Sequence, residues 1–537
     1  MSDDFLTSEQ TENYGRYVAD PNEVQLARYF HLDERDLAFI NQRRGKHNRL
    51  GIALQLTTAR FLGTFLPDPL QIPSFIRFYI AAHLNSSRPE ILSRYAEREN
   101  TRWEHQGLIK LYSDYHDFGD FPWTFRLKRL LYTRAWLSNE RPGLLFDFAT
   151  AWLLQNKILL PAASTLTRLI GEVRERASRR LWRRLALLPD SWQKTQLDGL
   201  LEIPEGQRIS VLEEMRKGPV TISGPSFTDA LERYTRLRSM EFSRLNFSGL
   251  PAIQLRNLAR YAGMASVKYI SRMPDERRLA VLTAFVKAQE ISALDEAVDV
   301  LDMLILDITR SAKNIGQKKR LRTLKDLDRA ALLLARACTL LLDENTDEAA
   351  LRQAIFRRIP KDKLAESVGK VNELARPQDT QFQDEMVEQY GRVKRFLSAM
   401  LRDLHFQAAP AGELTLSAIH YLAELSGSKK RILDDAPEQI ISGPWKRLVY
   451  DRDGRILRAG YSLCLLERLQ DSLRRRDLWL ENSDRWGDPR QKLLQGAEWQ
   501  AQRIPVCRAL GHPSDGTKAA EQLATRLDDT WKSVASR

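Results

Sequence analysis

The chain has few cysteines and no spacing typical of a disulfide-bonded or metal-bound fold. Its 537 residues contain three cysteines, at the widely separated positions Cys338, Cys464 and Cys507. No two of them are close enough in sequence to form a zinc-ligand pair, and they do not define a disulfide framework. The eight histidines form no His-Glu-x-x-His motif. These absences predict a protein of a reducing compartment.

Signatures of nucleotide-binding and hydrolytic enzymes are also missing. The sequence has no phosphate-binding glycine loop, no dinucleotide fingerprint and no nucleophile elbow. Asp299, Asp302 and Asp307 have helical spacing, which is more typical of a solvated or capping face than of a metal site. A two-metal nuclease carries its carboxylates on a sheet, with ions about 4 Å apart, and one predicted hairpin cannot supply that sheet. We therefore expect no catalytic residue, no metal site and no cofactor.

Long hydrophobic runs are absent as well. The longest, at 330–342, is interrupted by Arg336 and is too short to span a bilayer. The N-terminus is acidic and lacks the apolar core of a secretion signal. These features predict a cytoplasmic protein without a membrane partner.

The chain does have a surplus of positive charge. It contains 83 Lys and Arg against 70 Asp and Glu, a formal net charge of +13. Hydrophobic residues make up 43% and charged residues 28%, which is typical of globular domains. The length predicts three or more domains of about 100–200 residues each. The surplus favours a polyanionic partner but does not identify it.

The segment 144–185 arranges this charge most clearly. It predicts a helix at 144–155, a break at 156–161 and a longer second helix. The second helix has an apolar stripe formed by Leu166, Ile170, Val173, Ala177, Leu181 and Leu185. At 100° per residue, the opposite face carries Arg168, Arg176, Arg179 and Arg183. Helix-turn-helix proteins present cations to phosphates in this way, although a solvated surface face is the alternative.

A second helix pair with a basic connection is predicted near the N-terminus. A helix at 23–30 is followed by a tight turn and a helix at 34–42, for which Asp33 is the expected N-cap. An apolar helix is predicted from residue 50 to residue 63. The basic connection between them favours a contact with the DNA backbone over a solvated loop. Its candidate DNA-binding residues are Arg43, Arg44, Lys46, Asn48 and Arg49.

Residues 90–190 are dense in aromatic side chains. Base stacking on these rings is one interpretation. Core packing of a helical domain is favoured, because several of them recur at helical spacing. The set comprises Trp103, Tyr112, Tyr115, Phe118, Phe121, Trp123, Phe125, Tyr132, Trp136, Phe146, Phe148 and Trp152.

The remainder of the chain predicts further helices and one hairpin. Two Gly-Pro pairs at 218–226 indicate a linker, followed by a helix pair at 251–261 and 265–272 and by long helices at 275–289 and 294–312. The next basic stretch forms either a phosphate-facing surface or a solvated face, and its candidates are Lys318, Lys319, Arg320 and Arg322. Strands are predicted at 446–450 and 455–458, with Gly454 in the turn.

Several stretches resemble the Tn-three family of replicative transposases. Near the N-terminus they are Leu6-Thr7-x-x-Gln10, Tyr14-Gly15, Leu26-Ala27-Arg28-Tyr29-Phe30 and the stretch 43–56. Others are Leu160-Pro161, the stretches 322–330, 474–479 and 486–494, and Trp499. The resemblance therefore covers nearly all of the chain.

The resemblance implies helical DNA-binding domains that recognise the terminal inverted repeats of a transposon, followed by a dimerisation region. In the family, an RNase-H-like domain with a DDE triad and Mg²⁺ comes after these parts. No residue here can be assigned to that triad, so we expect the non-catalytic N-terminal part of a bacterial, nucleoid-associated transposase. A fragment, a natural truncation and a separate subunit all stay open. The expected partners are duplex DNA at transposon ends and either a second copy or a full-length transposase.

Two other functions remain as alternatives. The chain could be a truncated transposase that regulates the full-length enzyme by pairing with it through residues 240–410. A non-specific RNA binder is the weaker alternative, because no RNA-recognition motif is visible.

The expected fold is all-α and multidomain, with serial helix-turn-helix-type domains and one small β-hairpin near the C-terminus. DNA-binding domains are expected at 1–88 and 89–190, and a linker at 191–226. A helical domain is expected at 227–345 and a helical dimerisation or connecting region at 346–412. The hairpin and further helices are expected at 413–537.

Overall fold

Helices make up most of the chain. The computed structural model describes residues 5–85, 89–342, 351–374, 382–428 and 430–535. Its first α-helices are α1 (Ser8–Asn13), α2 (Glu23–Gln25), α3 (Glu34–Asn41), α4 (Lys46–Leu62), α5 (Ser74–His83), α6 (Leu92–Ala96), α7 (Glu99–Ser113), α8 (Trp123–Leu137), α9 (Pro142–Gln155), α10 (Ala163–Ala186), α11 (Ser191–Gly199) and α12 (Val211–Met215). Residues Leu26–Phe30 continue α2 as a π-helical turn.

The remaining helices follow in chain order. They are α13 (Gly224–Ser239), α14 (Ala252–Met264), α15 (Val267–Ser271), α16 (Asp275–Leu341), α17 (Leu351–Arg358), α18 (Lys361–Leu374), α19 (Gln383–Glu388), α20 (Tyr390–Asp403), α21 (Glu413–Glu424), α22 (Lys446–Val449), α23 (Arg458–Arg475), α24 (Gly496–Leu510) and α25 (Gly516–Ala535). The structure is 72% helical, and within the described ranges its strands form only small antiparallel pairs, so the predicted all-α class is confirmed.

The strands differ from the predicted hairpin. Strand β1 (Phe406–Ala408) pairs with β4 (Leu478–Leu480), and β2 (Ile432–Leu433) pairs with β3 (Ile456–Leu457). The strand predicted at 446–450 is wrong, because residues Lys446–Val449 form helix α22. What remains of the hairpin is one bridge between Tyr450 and Ile456. Gly454 has φ +76°, as its predicted position in the turn requires.

The chain divides into two compact units. The first comprises Met1–Glu214 and Arg244–Ala288, and the second comprises Met215–Ser243 and Gln289–Arg537. The finer division into six segments stays a prediction. Residues 191–226, predicted to be a linker, contain helices α11 and α12 and the beginning of α13.

Helix α4 forms the centre of the first core of unit one. Every residue from Leu50 to Ala59 is buried, which agrees with a helix enclosed on all sides by α3, α5, α6 and α7. A neighbouring ring approaches the helix very closely at Gly51, where a Cβ atom would lie 2.3 Å from the ring of Tyr95. A glycine at this position therefore lets the Tyr95 ring pack directly on the α4 backbone.

Helices α8, α9 and α10 form the second core of the same unit. The predicted stripe of α10 is confirmed, because all six of its apolar residues are buried. Leu127 and Leu131 of α8 and Leu145 and Leu153 of α9 pack in the core that α10 completes. Burial along one face fixes which residues α10 turns to solvent.

Helix α16 is continuous over its 67 residues. The predicted separation into helices at 275–289 and 294–312 is wrong. The intervening residues, Glu290-Ile291-Ser292-Ala293, contain no glycine or proline, and Ala293 is fully buried, so nothing there interrupts the backbone hydrogen bonding. Neither α16 nor any other helix in the described ranges is apolar over a length that would cross a membrane.

Candidate nucleic-acid interface

Helix α10 presents the predicted arginine row to solvent. Arg168, Arg176, Arg179 and Arg183 are all exposed, and they lie opposite the buried stripe. The hydrophobic contacts of the stripe hold the helix in place, so the guanidinium groups extend from a fixed backbone. Such a row can position a phosphate backbone by charge-assisted hydrogen bonds.

Two members of the row have carboxylate partners. Arg179 lies 2.5 Å from Glu175 one turn earlier, and Arg183 lies 3.6 Å from Glu276. The side chains of Arg179 and Arg183 are 69% and 72% exposed, so these pairs are weak and solvent-screened. Within the described part of the chain, the side chains of Arg168 and Arg176 form neither an ion pair nor a hydrogen bond.

Two further arginines of α10 anchor the helix to its neighbours in unit one. The guanidinium of Arg180 lies 5.0 Å from the centre of the Trp136 ring and donates a hydrogen bond to the Tyr132 hydroxyl at 3.1 Å. Arg184 donates to the backbone oxygen of Gly249 at 3.3 Å. These six arginines of α10 therefore form a row of four that extends into solvent and a pair that contacts neighbouring residues of unit one.

The basic connection near the N-terminus is shorter than predicted. Helix α4 begins at Lys46, so residues 46–49 form its first turn, and Gly45, with φ +85°, is its N-cap. Glycine has no side-chain oxygen to accept from the N–H groups of that turn. A helix N-terminus of this kind, next to the exposed cations Arg44 and Lys46, favours an anion.

The side chains of the other three candidates of this connection are engaged with neighbouring residues. The side-chain amide of Asn48 donates to the Arg44 carbonyl at 2.9 Å, and Nε of Arg49 donates to the Arg43 carbonyl at 2.9 Å. The guanidinium of Arg43 donates to Gln42 and lies over the Phe39 ring. Arg44 and Lys46 therefore extend from a backbone that Asn48 and Arg49 hold in place.

The third candidate group is only partly described. Lys318 is exposed, and Lys319 forms an ion pair with Glu388 at 2.7 Å. The side chains of Arg320 and Arg322 lie outside the described residues. Of the two members whose side chains are described, Lys318 is exposed and Lys319 is engaged in an ion pair.

Three acidic residues of α16 that lie in unit two interact with basic and polar side chains of the same unit. Asp302 accepts hydrogen bonds from Arg474 at 2.9 and 3.0 Å and from Gln470. Asp299 accepts from Trp486 at 2.8 Å and pairs with Arg485, and Asp307 pairs with Arg392 at 3.4 Å. In the described residues, no group of three His, Cys, Asp or Glu side chains is arranged to hold a metal ion. These carboxylates bind the unit-two part of α16 to the rest of unit two.

Helix α8 adds cations that the sequence analysis missed. Arg126, Lys128 and Arg129 are exposed, and the helix contains no acidic residue from Trp123 to Leu137. A 15-residue helix with basic residues and no acidic ones was the signal that could have identified it. The same segment is dense in aromatic residues, which indicated core packing, and its basic residues were not singled out.

Comparison with known proteins connects this chain to transposases. Residues 5–173 match a family model described as a domain of unknown function, DUF4158. The chain is 78% identical over 537 residues to the transposase for transposon gamma-delta of Escherichia coli strain K12, an alignment that covers 100% of this chain and 54% of that protein. The resemblance to Tn-three family transposases is confirmed.

More distant transposases match most of the same length. The transposase for transposon Tn501 of Pseudomonas aeruginosa is 28% identical over 511 residues, covering 95% of this chain and 51% of that protein. The transposase for transposon Tn4556 of Streptomyces fradiae is 31% identical over 360 residues, covering 62% of this chain and 40% of that protein. This transposase homologue thus spans about half the length of the curated relatives it matches.

Proposed function

We propose that this chain is a DNA-binding part of a Tn-three family transposase and that it binds duplex DNA at the terminal inverted repeats of a transposon. The observation that carries the proposal is the exposed row of Arg168, Arg176, Arg179 and Arg183 on a helix fixed by its buried face. The 78% identity to gamma-delta transposase supports the interpretation of this row as a DNA-binding surface over the alternative of a solvated helix face without a partner. No strand-transfer step is assigned to any residue of this chain.

The dimensions of α10 suit a phosphate backbone. Fifteen residues separate Arg168 from Arg183, which corresponds to about 22 Å along the helix axis. Phosphates of one strand repeat about every 3.4 Å along a duplex, so the row extends over about six to seven base pairs. Contacts of this kind set register and orientation, while base edges carry the sequence information. Arg44 and Lys46 supply a second backbone contact in the same unit, and Lys318 a third group in unit two.

A salt-dependent titration tests the proposal. The probe is a fluorescent duplex with the end sequence of transposon gamma-delta, beside a scrambled duplex of equal length and composition. Replacing Arg176, Arg179 and Arg183 together with alanine weakens binding to both duplexes. Each lost phosphate contact also reduces the slope of log affinity against log salt by about 0.9.

The matched control for charge is Arg526→Ala, because Arg526 is an exposed arginine on α25 far along the chain. It is expected to leave both affinity and slope unchanged. If the triple variant has the same slope of log affinity against log salt as the unmodified chain, α10 does not contact the DNA. Equal affinity of the intact chain for the two duplexes contradicts recognition of a transposon end.

Pairing with another transposase chain is a second candidate function. The specific observation is the exposure of Leu332 and Leu341 on the C-terminal part of α16 and of Leu342 directly after it, at 64%, 60% and 77%. Light scattering of this chain mixed with full-length gamma-delta transposase, without DNA, tests it. A heteromer supports a regulator, and two unmixed species contradict it.

A further inference from the structure

Two phenylalanines, one in the turn before α8 and one in the first turn of that helix, lie largely in solvent. Phe121 is 88% exposed, and Phe125, one turn further along, is 61% exposed. Other aromatic residues of the same segment, including Phe118, Trp123 and Tyr132, pack against the second core of unit one. Core packing therefore accounts for most of this aromatic density, and of the largely exposed aromatics Trp103, Phe121 and Phe125, the two phenylalanines lie close together in sequence beside cations.

The turn that carries Phe121 is held by backbone hydrogen bonds. The amide of His116 donates to the Lys157 carbonyl at 3.0 Å, and the His116 carbonyl accepts from Leu159 at 2.9 Å. The amides of Asp120 and Trp123 donate to the carbonyls of Asp117 and Asp120, each at 3.0 Å. The Phe121 side chain therefore projects from a fixed backbone.

The surface next to this pair is positively charged. Arg126, Lys128 and Arg129 are exposed in the first two turns of α8, and no acidic residue occurs in that helix. Arg126 lies over the Trp123 ring, 5.2 Å from its centre, which limits the positions of its guanidinium. An apolar pair beside three cations fits a partner that offers both flat apolar rings and phosphates.

The acidic residues of the turn are engaged within the chain. Asp117 pairs with Lys110 at 2.7 Å, and the carboxylate of Asp120 accepts from the amide of Asp117 at 2.9 Å. Asp114 lies 3.9 Å from Nε2 of His116. None of these contacts is an ion pair between a carboxylate of the turn and Arg126, Lys128 or Arg129.

Helix α8 also packs directly on the arginine helix. Arg180 of α10 contacts Tyr132 and Trp136 of α8, as described above, and Leu127 and Leu131 share a core with Leu166. The phenylalanine pair and the arginine row therefore belong to one packed pair of helices in unit one.

We propose that Phe121 and Phe125 form an apolar wedge that inserts at a base step of duplex DNA, while Arg126, Lys128 and Arg129 bind the flanking phosphates. The inference rests on the proposed function, since it takes duplex DNA as the partner. Insertion of a phenylalanine partly unstacks a base step and kinks the duplex. Pyrimidine–purine steps deform most readily, so the wedge favours binding at such a step. This preference comes in addition to the phosphate contacts of the arginines, which do not depend on sequence.

Base unstacking and DNA bending test the wedge directly. The probe is the gamma-delta end duplex with 2-aminopurine placed singly at successive positions, and a second copy carries a donor and an acceptor dye at its ends. With the intact chain, we expect a fluorescence rise at one base step and a shortened end-to-end distance. The double variant Phe121→Ser/Phe125→Ser loses both signals and binds about tenfold more weakly.

Matched variants separate a wedge from a general surface effect. Phe121→Leu/Phe125→Leu keeps an apolar wedge and is expected to retain both signals. Trp103→Ser removes an aromatic that is 67% exposed on α7 and is expected to change neither. Because all three side chains are largely exposed, thermal unfolding by circular dichroism is expected to be unchanged.

The outcomes distinguish the wedge from the proposed function. The serine variant keeps its cations, so its salt slope stays that of the intact chain, whereas the triple arginine variant lowers the slope. Intact binding and bending by the serine variant overturn the wedge and leave the proposed function standing. The same holds if the intact chain binds without a 2-aminopurine signal at any step. Failure of the intact chain to bind any duplex overturns the proposed function and the wedge together.

Discussion

The carboxylate of Asp36 accepts hydrogen bonds from both terminal nitrogens of the Arg60 guanidinium, at 2.5 and 2.8 Å. The hydroxyl of Tyr112 donates to the same carboxylate at 2.8 Å. Burial alone would raise the pKa of Asp36, but the hydrogen bonds from Arg60 and Tyr112 outweigh it and lower that pKa. One ionised group therefore joins α3, α4 and α7. Since the basic connection leads from α3 to α4, this interaction also positions its cations.

We predict that Asp36→Asn lowers the free energy of unfolding of the first unit by about 3 kcal/mol, because it leaves the partly buried Arg60 without its counter-charge. Urea denaturation followed by circular dichroism measures the change. Asp20→Asn removes an exposed acid from the same unit and is the matched control. Equal midpoints for the two variants would show that the pair contributes nothing beyond a surface charge.

A buried histidine makes the first unit sensitive to acid. His105 is 5% exposed and is hydrogen-bonded through Nδ1 to the Tyr95 hydroxyl at 3.0 Å. Burial, and secondarily the positive charge of Arg43, lowers the pKa of His105 to about 4. The unfolded chain binds the proton near the usual value of about 6.5, so protonation favours unfolding. The stability that depends on a neutral His105 is fully present above pH 6.5. It is lost as the pH decreases towards 4, which lowers the free energy of unfolding by about 2 to 3 kcal/mol.

The measurement is the melting temperature of the intact chain and of His105→Gln between pH 7 and pH 4. The variant is expected to melt lower at pH 7 and to lose less stability on acidification. A His105 imidazole signal that titrates near pH 6.5 in the folded chain, followed by NMR, would contradict the prediction.

The sequence predicted α10 well because burial imposes a period. Six apolar positions recur at helical spacing from Leu166 to Leu185, so the side that faces solvent follows from geometry alone. The partners of the exposed arginines do not follow from it. Glu276, which pairs with Arg183, is remote in sequence, and only the packing of unit one brings the two together.

Short apolar runs were the main source of error. Residues 446–450 fit a strand and a helical turn equally well by pattern, and the tertiary contacts of Trp445 and Val449, both fully buried, favour the helix. The strand at Ile456–Leu457 pairs instead with Ile432–Leu433, a partner that no turn signal indicates. The exposure of Phe121 could not be predicted from the sequence either, because spacing alone does not show which aromatic residues of a dense segment lie outside the core.

If α10 binds DNA, removal of the negative charge of Glu175 is predicted to increase the affinity of the chain for duplex DNA. Glu175 competes with a phosphate for Arg179, and its side chain is 50% exposed. Replacing it with glutamine frees the guanidinium and removes a repulsive charge, so we expect Glu175→Gln to bind duplex DNA about threefold more tightly. Fluorescence anisotropy at fixed salt measures the change, with Glu205→Gln, an exposed acid outside α10, as the control. Weaker binding by Glu175→Gln would mean that this pair helps to orient Arg179 for its contact.

Two glycines within helices of unit one predict opposite effects of the same substitution. At Gly51 a Cβ atom would lie 2.3 Å from the fully buried ring of Tyr95, which has no space to retreat into, so Gly51→Ala is expected to lower the free energy of unfolding by about 3 kcal/mol. At Gly107 in α7 nothing lies within 4 Å of the added carbon, and Gly107→Ala should stabilise by about 0.5 to 1 kcal/mol through helix propensity. Urea denaturation measures both. Because each variant adds the same methyl group to a helix, stabilisation by Gly51→Ala as well would mean that Tyr95 does not pack against the α4 backbone as described, whereas destabilisation by Gly107→Ala would contradict only the prediction for α7.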